Sequence, residues 1–164
     1  GYFALYTCFF PLLLAGPIER SYNLLPQLQE RHDFDDKRLT KGLMLMAWGF
    51  FKKLVIADRL AVVVTQVYGH LPKYTGVALI TATVFLAFQV YCDFSGYSDI
   101  ALGTGEVLGF RFIRNFNCPY FSRSITEVWR RWHISLSSWV HDYLFTPVSI
   151  ALRGLGLAGI CIAI

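Results

Sequence analysis

The clearest pattern along the chain is a run of 19 residues, Tyr74 to Cys92 (YTGVALITATVFLAFQVYC), lying between Lys73 and Asp93 without a charge. A hydrocarbon layer about 30 Å thick takes about 20 apolar residues to cross as a helix, so this run predicts a membrane span. Gly1 to Leu14 is also uncharged and predicts most of a second span, closed by the turn-forming Ala15, Gly16 and Pro17. Without a basic leading segment it reads as the tail of a span rather than a secretory signal. The last stretch, Tyr143 to Ile164, holds Arg153 as its one basic residue and is expected to return into the membrane.

Between Leu39 and Val67, two apolar blocks, Gly42 to Phe51 and Leu60 to Val67, are interrupted by Lys52, Lys53, Asp58 and Arg59. A charge at mid-bilayer costs roughly 2.5 to 3.5 kcal/mol on insertion scales unless it snorkels, pairs or faces protein. A bent or half-inserted helix is expected there. Its charges either snorkel or line a polar cavity for an anionic or phosphopantetheine-bearing donor. Just past the first run, Asp93 and Asp99 read as helix caps or as groups that orient a substrate. Ala101, Gly105 and Gly109 form a stripe of small residues that lets helices approach closely in a membrane.

Ser124 and Glu127 have the spacing of a capping box, which predicts a long helix from Ile125. On it Trp129, Trp132, Leu136, Trp139 and Tyr143 recur every three or four residues as one aromatic face. Arg130, His133, Ser137 and His141 make a polar stripe. Such a helix suits the membrane interface, rings in lipid and charges in water. Asn115 and Asn117, shortly before Pro119, shape a turn leading into it, and Asn117 is also a candidate for substrate contact.

Composition agrees with lipid exposure. The 164 residues are 55% hydrophobic and 16% charged, with a mean hydropathy of +0.45, whereas soluble chains carry about 25% charged residues. An ordinary water-soluble enzyme is therefore not expected. The net charge of +4 comes from 15 basic and 11 acidic residues with no long basic run, so nothing supports nucleic-acid binding. Lys and Arg cluster around residues 20–59 and 111–131, which puts the loops near 20–50 and 93–131 on the cytoplasmic face and Gly69 to Lys73 outside. No repeat or linker divides the chain, so residues 1–164 read as a single all-α, multi-pass domain. Both ends look cut, Gly1 in place of Met and Ile164 within an apolar run, as in a piece of a longer protein.

The chemistry is sparse. Cys8, Cys92, Cys118 and Cys161 lie far apart without metal-ligand spacing, so neither a metal site nor a disulfide is expected. No Gly-x-Ser-x-Gly elbow, phosphate-binding loop or zinc-protease motif occurs. His133 is the leading catalytic candidate, because a neutral imidazole in a dry site suits the deprotonation of a hydroxyl. Arg130 and Arg131 beside it can stabilise a developing oxyanion. A packing role for His133 fits the same residues. His32 and His70 sit in polar loops and read as solvated.

Four segments, taken in order, are more specific than any one landmark. They are AGPIERSYNLLPQL from Ala15, GFFKKLVIADRL from Gly49, FQVYCDFSGYSDIALG from Phe88, and LGFRFIRNFNCPYFSRSITEVWRRWHISLSSWVHDYLFTP from Leu108. With these the chain resembles the membrane-bound O-acyltransferase family, most of all its bacterial branch that acetylates alginate or D-alanylates teichoic acids. The resemblance implies a many-helix enzyme of the bacterial cytoplasmic (inner) membrane, with a tunnel joining a cytoplasmic acyl donor to an acceptor hydroxyl on the far side. It implies no resident cofactor. The donor substrate would be an acyl thioester, acetyl-CoA or an acyl carrier, and the acceptor an exported polysaccharide or cell-wall polymer. Membrane lipid and periplasmic or cell-surface proteins of the same pathway would be its partners. By that resemblance His133 falls on one of the family's two signature histidines, the one on the cytoplasmic side of the tunnel. The other, usually considered the catalytic base, is expected beyond residue 164, which leaves His133 positioning substrate or stabilising charge as the alternative to acting as the base. Read from the residues alone, a polytopic transporter or scaffold without bond chemistry also fits, since charged, discontinuous helices occur in transporters.

Overall fold

The computed structural model describes residues 1–13 and 16–152. The expected return of the C-terminal stretch into the membrane falls largely on residues 153–164, outside the described residues, as do Cys161 and part of the turn at Ala15. The described residues are helical, without a strand among them, and the chain divides into two compact units, Gly1–Phe112 and Ile113–Ile164.

The first unit is organised by one long hairpin. Helix α3 (Asp36–Phe50) starts at Asp35, whose side chain accepts from the amides of Lys37 and Arg38, satisfying donors that the first helical turn leaves open. It continues through a π-helical segment, Phe51–Ala57, into α4 (Asp58–Gly69). The irregularity expected around the charges is thus a widened turn. After a short 3-10 turn at Leu71–Lys73, α5 (Val77–Leu108) runs back antiparallel. Its 32 residues span about 48 Å at 1.5 Å per residue. It is long and apolar enough to cross a membrane, and Val77, Ile80, Val84, Phe88 and Val90 of its first half are exposed apolar side chains.

The predicted span therefore exists but does not stop at Cys92. Asp93 and Asp99 lie inside α5, so neither caps a helix; each is held by a lysine on the opposite arm of the hairpin. The small-residue contact also differs from the expected stripe. Gly42 and Gly49 on one arm meet Gly103 and Gly96 on the other. A Cβ added at Gly49 would sit 2.6 Å from the Gly96 carbonyl oxygen, and one at Gly103 would sit 2.6 Å from that of Gly42. Of the expected stripe, Ala101 is buried and Gly105 lies under the Phe112 ring. Gly109 ends α5 in the left-handed region, φ 99°, where a residue without Cβ carries no penalty.

The N-terminal run does not form one span. Helix α1 (Tyr2–Thr7) stops, and a 3-10 turn follows at Phe10–Leu12. Pro11 supplies the reason: in a continuing helix its ring would clash with the carbonyl four residues back, at Thr7, the residue at which α1 ends. Helix α2 (Ser21–Gln29) buries Leu24. His32 is less solvated than its sequence context suggests: a ring nitrogen lies 2.8 Å from the Gln27 carbonyl oxygen, and the ring stacks edge-on to Phe110 at 4.7 Å. His70 is exposed. Cys8, Cys92 and Cys118 are unbridged.

In the second unit the helix starts where the capping box places it. Helix α6 (Ile125–Arg131) has Ser124 at its N-cap, the side chain accepting from the Glu127 amide, while the Glu127 carboxylate accepts from the Arg123 amide. That bond, with Arg131 and Arg130 nearby, holds the Glu127 carboxyl below its ordinary range. Ser124→Ala is expected to destabilise this unit by about 1 kcal/mol, readable as a lower thermal midpoint of the full-length protein.

The long helix itself is not formed. Helix α6 ends at Arg131, and α7 (Ile134–Val140) begins after a corner at Trp132 and His133. A second π-helical segment, His141–Phe145, leads into α8 (Thr146–Ala151). The continuous aromatic face and the single polar stripe through Arg130, His133, Ser137 and His141 are both corrected by that corner, which redirects every residue after it.

Candidate active site

Two polar constellations stand out, one in each unit. The first fastens the hairpin. Lys52 is 7% exposed, and its Nζ lies 2.7 Å from Asp99 and donates to Ser95 Oγ at 3.0 Å. Lys53 reaches Asp93 at 2.7 Å and Asp58 at 2.8 Å, with the Tyr97 ring 5.7 Å from its Nζ. Consecutive residues on an α-helix point about 100° apart, yet Lys52 and Lys53 both reach α5, and the π-helical segment they sit in supplies the looser turn. Snorkelling is thus corrected for both lysines, which are paired across the hairpin. Arg59 is exposed and takes no part. Two lysines against Asp58, Asp93 and Asp99 leave no surplus positive charge, so this cluster is a clasp and not a cradle for an anionic donor. A nearby cavity of about 190 Å³ beside Ile100, Ala101 and Thr104 is mainly apolar and contains none of the nominated residues.

The second constellation surrounds His133. Its backbone is left-handed, φ 43° and ψ 54°, a conformation that costs a non-glycine residue about 1–2 kcal/mol and that collects at functional sites. Contacts on both sides hold it there. The Asn117 amide donates to the Arg131 carbonyl at 3.0 Å, and the Ile134 amide to the Asn115 carbonyl at 2.9 Å. Asn115 is fully buried, and its Oδ1 accepts from Ser135 Oγ at 2.6 Å and from the Ser135 amide at 3.4 Å. The Trp132 ring stands edge-on to Phe116 at 5.1 Å. Partial burial pushes the His133 imidazole below its ordinary value of 6.5, because desolvation penalises the charged form.

The other nominated residues divide. Ser137 is near the corner: its amide donates to the His133 carbonyl and its hydroxyl to the Trp129 carbonyl at 3.3 Å. Arg131 is paired with Glu127, so much of its charge is spent within α6, whereas Arg130 is exposed. Asn117 acts here through its backbone. Asp93 and Asp99 belong to the hairpin clasp. His141 is exposed and lies 3.3 Å from Asp142. Sequence reasoning missed Asn115 as an anchor and Ser135 altogether. They are 20 residues apart, and no local spacing joins them.

A match to the family described as MBOAT, membrane-bound O-acyltransferase, covers residues 2–157 and so takes in the whole corner. The chain belongs to the membrane-bound O-acyltransferase family. Among relatives of this chain, the Pseudomonas putida protein named "Probable alginate O-acetylase AlgI" is 48% identical over 152 residues, 93% of this chain. The peptidoglycan O-acetyltransferase of Helicobacter pylori is 35% identical over 89% of the chain. The teichoic acid D-alanyltransferase of Bacillus subtilis is 31% identical over 85%. The chain spans 31% of the Pseudomonas protein's length, 28% of the Helicobacter one's and 36% of the Bacillus one's.

Proposed function

We propose that the intact protein is a multi-pass enzyme of the bacterial inner membrane that moves an acetyl group from a thioester donor on the cytoplasmic side to a hydroxyl of an exported polysaccharide. The sugar oxygen attacks the thioester carbonyl and gives up its proton to a base. The C–O bond forms, the C–S bond breaks, and the thiolate leaves and is reprotonated. Water exclusion by the membrane limits hydrolysis of the thioester and strengthens each charge interaction at the reacting carbonyl.

The observation that carries this reading is the family match over residues 2–157, a range that includes the His133 corner. Acetyl is favoured over D-alanyl transfer because identity to the alginate acetylase is 48%, against 31% for the D-alanyltransferase. His133 serves as a neutral imidazole that takes or passes a proton, and Arg130 is the freer of the two arginines to stabilise an oxyanion. Periplasmic or cell-surface proteins that receive or present the polymer are the expected partners, and acetyl-CoA or an acyl carrier the expected donor.

Mass analysis of exported polymer tests this in cells that carry the full-length gene with His133→Ala. General acid–base groups contribute about 100-fold or more to rate, so acetyl content is expected to fall nearly to the level of a deletion strain at equal protein abundance. Unchanged acetylation would reject the role of His133.

A pH dependence follows with a definite sign. The folded pKa of His133 lies below its ordinary 6.5, so the unfolded chain binds this proton more readily. Burying the neutral ring costs no stability above pH 6.5, and stability declines as the pH falls below that value. Acyl transfer that depends on neutral His133 is expected to hold down to pH 6.5 and to fall only below it, in a pH–rate profile of the full-length enzyme.

A further inference from the structure

Asn115 lies 18 positions before His133 in a connecting loop, yet it is fully buried and makes three contacts with the two residues after His133. Its backbone carbonyl takes the Ile134 amide, and its side-chain oxygen takes both donors of Ser135. Two residues on, the Asn117 amide grips the Arg131 carbonyl. The loop thus holds the chain on both sides of Trp132 and His133 and leaves those two residues to form the corner. A non-glycine residue stays left-handed only where its surroundings over-determine it, and here Asn115 and Ser135 supply three of the bonds, beside those from Asn117 to Arg131 and from Ser137 to Trp129.

We propose that Asn115 is a positioning residue for His133, fixing the strained corner through its hydrogen bonds to Ser135 and Ile134 so that the imidazole is held at one angle for acyl transfer. This rests on the function proposed above. It assigns Asn115 a mechanical role distinct from proton transfer: its side-chain oxygen is the working atom, engaged with Ser135.

The experiment uses full-length protein in detergent, with Asn115→Ala, Asn115→Asp and Ser135→Ala, and two readouts. One is acyl-transfer kinetics. The other is the rate at which diethyl pyrocarbonate modifies His133, followed by peptide mass spectrometry, which needs no acyl transfer. A small misplacement of a reacting group costs about 100-fold in rate, so Asn115→Ala is expected to lower kcat by that order with KM little changed and to raise the modification rate at His133 several-fold. Asn115→Asp keeps an oxygen acceptor for Ser135 but places a carboxyl at a fully buried site, and is expected to recover only part of kcat and of the parent modification rate. Ser135→Ala removes the 2.6 Å bond alone and should fall between; if Asn115→Ala does not fold, this variant carries the test. Parent-like modification and kcat in both alanine variants would overturn the proposal. If His133→Ala leaves acyl transfer intact, the functional reading fails, while the modification rates still decide whether Asn115 holds the ring.

Discussion

Lys52→Met is expected to destabilise the full-length protein by about 3–5 kcal/mol, the cost of leaving one partner of a buried ion pair without the other. The Asp99 carboxylate that it faces at 2.7 Å is 21% exposed, and the Lys52 side chain is 9% exposed. Water therefore cannot fully replace the lost ammonium. The pair should be far less costly to remove as a whole: Lys52→Met combined with Asp99→Leu offers two apolar side chains at a helix contact and is expected to recover most of the loss. Thermal unfolding in detergent of the two single variants and the double variant measures the coupling. A double variant as unstable as the sum of the singles would show that Lys52 and Asp99 do not act on one another.

Gly49→Leu is expected to prevent the hairpin from closing. The new Cβ alone would lie 2.6 Å from the Gly96 carbonyl oxygen and 3.0 Å from the Ile100 amide nitrogen. These are backbone atoms that no rotamer change can move. Overpacking of a tight core costs about 1–3 kcal/mol where side chains can shift, and a backbone clash exceeds that range. The yield of monodisperse full-length protein should collapse. Gly69→Ala is the matched control, since nothing lies within 4 Å of its added methyl, and its yield should equal the parent's.

What was legible in the sequence was what local chemistry decides. The uncharged run before Asp93 marked a span, and Ser124 with Glu127 marked a helix start to the residue. Both depend on neighbours within a few positions. Asp93 and Asp99 were misplaced because a carboxylate within a long apolar helix depends on a cation elsewhere, and their partners Lys53 and Lys52 lie far back along the chain on the opposite arm of the hairpin. One signal for that crossing was present: Gly42 and Gly49, like Gly96 and Gly103, repeat at seven residues, two turns apart on one helix face.

The corner at His133 was illegible for a sharper reason. Neither glycine nor proline interrupts WRRWHISLS, and its apolar positions keep helical spacing across the break. The chain turns there because Asn115, in a loop that reads only as a turn, offers Ser135 and Ile134 bonds that a continuing helix would not need. His133 was nominated as an imidazole suited to proton transfer. Its left-handed backbone and its anchor come from tertiary contacts alone.

The most direct test of the whole account is thioester-dependent ester formation by purified full-length protein in lipid vesicles, supplied with labelled acetyl thioester on one side and polysaccharide on the other. The parent should place label on the polymer as an alkali-labile ester, and His133→Ala, equally folded, should place about 100-fold less. Label transfer by His133→Ala at the parent rate would contradict the assignment of this corner to the reaction, and no transfer by the folded parent, with the periplasmic protein fraction added on the polysaccharide side, would contradict the reaction itself.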